Sequence, residues 1–196
     1  MTSTFDRPTR YKRPIDSLRG QLLIAGATLP DPNFFRTVVL ICEHSDEGAL
    51  GLILNRPGEV LVGEIAGQLV PLAGEDTVVD SGGPVQPEAL LVLAEFDDPV
   101  QQAGMHIIGP VGIMGDGLTI DELVEHTGRV RVLAGYAGWG PGQLDAELER
   151  DDWFVAPAGV DDIFDTNAEL LWQRVLARKG GHYALVARMP VDPSVN

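Results

Sequence analysis

The chain has a single cysteine, Cys42, among its 196 residues. One cysteine cannot form an intramolecular disulfide and leaves no Cys-based zinc cluster, which fits a reducing compartment. Long apolar runs are missing as well. No stretch approaches the ~20 apolar residues of a membrane span, and the N-terminus lacks the apolar segment of a secretory signal, so a soluble, cytoplasmic protein with no membrane association is expected. Basic residues are few and unevenly placed. Five of the 14 precede Gly20, opposed there by Asp6 and Asp16 alone, so from Gly20 onward nine basic residues face 27 acidic ones. Nucleic-acid binders rely on basic patches that neutralise phosphate, so direct DNA binding by this acidic body is not expected.

What is present is enough hydrophobic sequence, 44%, for one compact domain. Residues 1–16 (MTSTFDRPTRYKRPID) have no apolar period and read as a flexible basic arm, leaving 17–196 as a single domain. Beyond the arm, short β-rich runs at 21–25, 37–44, 49–55, 89–95, 106–108, 130–134 and 153–155 alternate irregularly with helical patterns at 61–69, 119–126, 143–150 and 166–178. A strand pair precedes any helix, which indicates α+β rather than repeating βαβ units. The turn His44-Ser-Asp-Glu-Gly-Ala49 marks an antiparallel hairpin. Pairing His44 with Ala49 puts Cys42 opposite Gly51, and places Val38, Leu40, Cys42 and His44 on one face. Thr119 with Glu122 is a capping-box pattern, and Pro141 suits a first helical position.

The stretch 135–148, GYAGWGPGQLDAEL, joins a strand pattern to a helix through glycines. Such turns can cradle phosphate. A helix N-terminus favours an anion by about 0.3–1 kcal/mol, whereas a carboxylate such as Asp145 at ~6 Å from a phosphate costs almost 3 kcal/mol at an effective dielectric of about 20. Repulsion wins, so these glycines are read as tight turns around Tyr136 and Trp139, with Gly138 or Gly140 in a conformation that resists a side chain. Cys42 and His44 on one strand face make a thiolate–imidazole pair geometrically possible, but no third residue orients it. The remaining histidines, His106, His126 and His182, have no metal-binding spacing, so neither a metal site nor a cofactor is expected.

Three blocks, LRGQLLIAGATLPDPNFFRTVVLICEHSDEGALGLILNRP, SGGPV and GYAGWGPGQLDAELERDDWFVAP, together resemble the YqgE/AlgH family of bacterial proteins from about residue 18 to beyond Trp172. The family pattern falls on Pro30, Phe34 and Arg36, and on Glu43, His44, Gly48, Gly51, Asn55 and Pro57. It continues on Gly82, Gly83, Pro84 and Val85, then on Gly135, Tyr136, Gly138, Trp139, Gly140, Gln143, Leu144, Glu147 and Trp153. After GGPV this chain reads Gln86-Pro-Glu-Ala-Leu-Leu-Val-Leu-Ala94 and lacks a histidine that relatives typically carry there. The resemblance implies an α+β domain with a barrel-like, mostly antiparallel sheet flanked by helices. One branch of the family has been called a transcriptional regulator of exopolysaccharide production.

The sequence therefore points to a non-enzymatic regulatory domain that binds a small molecule or a protein. Its expected site is one cleft where the hairpin end, the GGPV turn and the 135–143 segment meet. Arg36, His44 and Asn55 are the candidate polar contacts, with Tyr136 and Trp139 as an aromatic wall; Gly82, Gly83, Gln143 and Glu147 are the further ligand-binding candidates. A hydrolase or metal-dependent enzyme using His44 with Glu43, Gln143 or Glu147 is one alternative, and a transcriptional regulator, as the resemblance to one branch of the family implies, is the other.

Overall fold

The computed structural model describes residues 17–26, 29 and 31–189. The arm at 1–16 and the family position Pro30 lie outside the described residues. The strands are β1 (Gln21–Ala25), β2 (Val38–Ser45), β3 (Gly48–Ile53), β4 (Val79–Ser81), β5 (Val85–Phe96), β6 (Ala103–Ile108), β7 (Val111–Met114), β8 (Thr127–Trp139) and β9 (Trp153–Pro157). The helices are α1 (Val62–Ile65), α2 (Val70–Ala73), α3 (Pro99–Gln102), α4 (Ile120–His126), α5 (Gln143–Glu149), α6 (Val160–Ile163), α7 (Leu171–Lys179) and α8 (Gly181–Val186). All strands join one sheet in the order β6-β7-β5-β8-β3-β2-β1-β9, antiparallel except for β4, which pairs parallel with β8. The α+β expectation is met. The sheet curls but does not close, so "barrel-like" describes its curvature only.

Alternation along β1, β2 and β3 gives the sheet two apolar faces. On one face Leu22, Ile24, Leu40, Leu52, Leu93 and Leu133 pack with Ile107 from the far edge and with Leu171, Trp172, Val175 and Leu176 of α7. These α7 residues form the one-sided stripe that a surface helix buries. On the other face Leu23, Val39, Ile41 and Ile53 meet Trp139, Leu144 and Trp153. A smaller cluster seats α1 through Val62, and the turn before α2 through Leu69, on Val92 and Val132.

Two expectations about local geometry are corrected. The β2–β3 hairpin is antiparallel and pairs His44 with Ala49, but Ile41, not Cys42, lies opposite Gly51, because a β-bulge occupies Cys42. One extra residue reverses the alternation. Cys42 stays with Leu40 in the α7-side core, whereas His44 pairs with Ala49, which packs on the Trp139 side. The two no longer share a face, and burial pushes the Cys42 thiol well above its usual range.

The glycine-rich stretch is strand, not turn, through Trp139. Strand β8 keeps β5 as its neighbour up to Tyr136, while its last residues pair with β3. Gly135, at φ 70°, stands opposite a wide bulge in β5 that contains Gln86, Pro87, Glu88 and Ala89. Neither Gly138 nor Gly140 has the unusual backbone expected of it; Gly135 and Gly142 do. Gly142, at φ 68°, is the N-cap of α5, so Pro141 precedes the helix. A Cβ on Gly135 would stand 2.5 Å from Gly83 O and 2.9 Å from Val85 O. Gly135→Ala should therefore destabilise by more than about 1 kcal/mol, against little change for Gly140→Ala, as measured by urea unfolding.

The Thr119–Glu122 capping box forms as read. The 61–69 pattern instead breaks into α1 and a 3-10 turn at Gly67–Leu69, which α2 follows directly. Asp162 ties α6 to α7 by accepting from Arg178 Nη1 at 2.8 Å and Nη2 at 2.7 Å, and it also accepts from Gly159 N at 3.0 Å. Burial raises its carboxyl pKa, but these hydrogen bonds outweigh that and hold it below the usual carboxylate value. A depressed folded-state pKa contributes stability that is present above about pH 4 and is lost as pH falls through the folded value. Asp162→Asn should flatten the fall of melting temperature with acid below about pH 4; an unchanged slope would show that the pair contributes nothing.

Candidate functional site

Where β3 ends, the chain turns through Asn55, Arg56 and Pro57, and a cavity of about 420 Å³ opens between this turn, the segment before β2 and α7. Asn55 builds its wall. Buried to 4% exposure, it accepts from Val38 N at 2.8 Å through Oδ1 and donates to Arg36 O at 2.8 Å through Nδ2. Both halves of the amide are thus committed to backbone, and they fix Arg36 at φ 54°, a left-handed conformation rare for a side-chain-bearing residue.

The Arg36 guanidinium lies 4.7 Å from the Trp172 ring centre and donates to Met189 O at 2.6 Å. Trp172 is held in turn by its indole N–H on Ala25 O at 2.9 Å. Arg56 donates from Nη1 to Asn55 O at 3.3 Å and from Nη2 to Phe35 O. Burial lowers the pKa of both guanidinium groups from the usual value, yet arginine keeps its charge in a protein. The cavity is therefore a partly aromatic notch lined by two guanidinium groups and one carboxylate, Glu169, in an acidic body.

Directly behind the turn is a pair that sequence reasoning missed. Arg131 of β8 and Asp80 of β4 are each 9% exposed. Arg131 donates to Asp80 Oδ2 from Nε at 3.0 Å and also from Nη2. Its other bonds reach Leu54 O at 2.9 Å and Ile163 O at 2.9 Å. Since Leu54 immediately precedes Asn55, this arginine anchors the turn from inside. The available signal was parity: in Val130-Arg-Val-Leu-Ala134, Arg131 shares a strand face with the core residue Leu133.

A second group of candidates gathers elsewhere, around α5. Glu147 Oε2 accepts from the indole N–H of Trp139 at 2.9 Å and of Trp153 at 2.8 Å, while Oε1 accepts from Gln143 Nε2 at 2.9 Å. Gln143 Oε1 accepts from Gly140 N at 3.1 Å. Trp139 is 6% exposed and packs with Phe34 and Trp153, so its ring turns inward.

The single cleft expected from the sequence thus divides. Arg36 and Asn55 share the notch with Arg56, whereas Trp139, Gln143 and Glu147 form the α5 cluster. Tyr136 packs on the face of β8 opposite Trp139, so the two rings do not make one wall. Gly82 and Gly83 lie backbone to backbone against Gly135 and Tyr136, and Gly82 O accepts from Ile53 N at 2.9 Å. At the hairpin end, His44 Nδ1 accepts from Leu18 N at 3.1 Å. Among the described residues no group of three or more His, Cys, Asp or Glu side chains is placed to hold a metal ion, and no helix is long and apolar enough to cross a membrane.

This architecture recurs in known proteins. A crystal structure of protein DIP2367 from Corynebacterium diphtheriae superposes with a TM-score of 0.78 at 27% identity, over 86% of this chain and 91% of that one. The solution structure of AlgH from Pseudomonas aeruginosa gives 0.68 at 30% identity, over 94% of this chain and all of the other. A UPF0301 protein of Thermobifida fusca is 44% identical over 92% of this chain and 96% of its own length, and one of Streptomyces coelicolor is 41% identical over 93% and 97%. The AlgH-like family pattern matches residues 22–184. With the fold and nearly the full length shared, the chain belongs to the AlgH-like family, DUF179.

Proposed function

We propose that this protein is a cytoplasmic, non-enzymatic regulatory domain that binds a small molecule or a partner protein through the notch at Asn55, Arg56 and Pro57. The observation that carries this reading is the convergence of cavities on that turn. Arg56 lines both the 420 Å³ notch and a second cavity of about 430 Å³ toward Ser81 and Gly83, while Pro57 borders a third, of about 490 Å³, at Asp80 and Arg131. Concave, partly apolar spaces of this size with a few fixed polar groups are where small ligands bind. Two residues of the enzyme alternative are committed otherwise: His44 to the backbone of Leu18, and Glu147 to two indoles and Gln143. The acidic body supports regulation through a ligand or protein rather than through DNA contact.

The test is a crystal structure of the full chain purified from cells without added ligand. Density for a co-purified molecule against Arg56 is the expected result. Density bridging His44 and the α5 carboxylates instead would favour the enzyme reading and overturn this one.

A further inference from the structure

Most cations of the acidic body are spent on its own carboxylates. Arg129 pairs with Glu95 and Asp161, Arg131 with Asp80, Arg150 with Asp152, Arg174 with Asp165 and Arg178 with Asp162. Arg56 differs. Among the described residues no carboxylate pairs with it, and its two bonds go to the backbone carbonyls of Asn55 and Phe35. A guanidinium has five N–H donors, so those two bonds orient the fork and leave its other donors for a ligand. Arg36 brings a second guanidinium to the same cavity, and among the described lining residues Glu169, exposed at the rim, is a carboxylate that opposes them.

We infer that the notch seats an oxyanion, the carboxylate or phosphate group of a small ligand, with the Arg56 guanidinium as its principal contact. This rests on the notch being a binding site, as proposed above. Three features argue for an oxyanion over a neutral group. Charge-assisted bonds from a guanidinium to a carboxylate or phosphate are short, strong and matched in geometry. The fork is already held by backbone, so little side-chain freedom is lost on binding. Desolvation of Arg56 lowers its pKa, the condition under which an anionic partner is most favourable. Half-buried Phe35, on the same wall, offers an apolar surface to the remainder of the ligand.

The experiment is an NMR titration of the labelled full chain with sodium phosphate and, separately, with sodium acetate, each against sodium chloride at matched ionic strength. Saturable shifts of the Arg56 Nε–H and the Trp172 indole N–H are expected with at least one oxyanion and not with chloride; the anion that saturates first identifies the group. Arg56→Gln should weaken the binding by about tenfold or more, and Arg56→Lys should recover part of it. Should the Arg56 variants fail to fold, Glu169→Gln serves instead and should tighten the oxyanion by removing the opposing charge. Shifts that chloride reproduces, an Arg56→Gln titration like that of the unmodified chain, or no tightening in Glu169→Gln would overturn the inference. A neutral molecule recovered from the notch would overturn the oxyanion and leave the binding role standing. Anion binding at Arg56 with the co-purified molecule seated beside His44 would do the reverse.

Discussion

Arg131→Met should destabilise the protein by about 3–5 kcal/mol, the cost of leaving a buried charge without its partner. The substitution strips Asp80 of its cation and deprives Leu54 O and Ile163 O of a donor at one stroke. Asp80→Leu alone should cost a similar amount, because it leaves a buried guanidinium with carbonyls only. The double variant Arg131→Met/Asp80→Leu should be much less unstable than the two losses added, since removing both charges together also removes the desolvation penalty of each. Urea unfolding of the four proteins measures the coupling. Additive losses would mean that the pair is not a unit, and a cost below about 1 kcal/mol for Arg131→Met would mean that the turn at Asn55 is anchored by something else.

Trp139→Ala should cost about 3–5 kcal/mol, as for a core aromatic. The ring stacks on Phe34 at 6.2 Å between centres and meets Trp153 edge-on at 6.0 Å, and its N–H is taken up by Glu147. Glu147→Ala should cost about 1–3 kcal/mol for each of the two indole N–H groups left without an acceptor, a total comparable to the loss in Trp139→Ala. The same experiment separates scaffold from binding surface. An indole that lined a ligand site could be removed with little change in melting temperature, so a near-neutral Trp139→Ala would return this segment to the list of candidate sites. Oxyanion binding at Arg56 should survive a folded Glu147 variant, because the α5 cluster and the notch are built from different residues.

These outcomes bear on how far the sequence could be read. The hairpin was legible because Ser45, Asp46, Glu47 and Gly48 are turn formers between two β-rich runs, and its ends pair as expected. The bulge at Cys42 was not legible, since strand alternation looks the same with or without one extra residue until a partner strand fixes the register. The glycines of 135–142 misled for a related reason. Glycine marks turns, but it also marks places where two backbones touch, and Gly135 serves Gly83 in that way inside a strand. Of the site, Arg36 and Asn55 were found through the family resemblance. Arg56 and the Asp80–Arg131 pair were missed, because their importance comes from which carbonyls and carboxylates the fold brings to them, and those partners lie as far as 77 positions away in sequence.

The family assignment defines the fold, and the notch is where this chain departs from its own charge pattern: two arginines meet in a cavity on a body three times richer in acidic than in basic residues. The most direct test is native mass spectrometry of the full chain purified from cells, run beside Arg56→Gln prepared identically. The account predicts a bound species of discrete mass on the unmodified protein that is lost from the folded variant. Identical spectra, with the same species or with none, would contradict it.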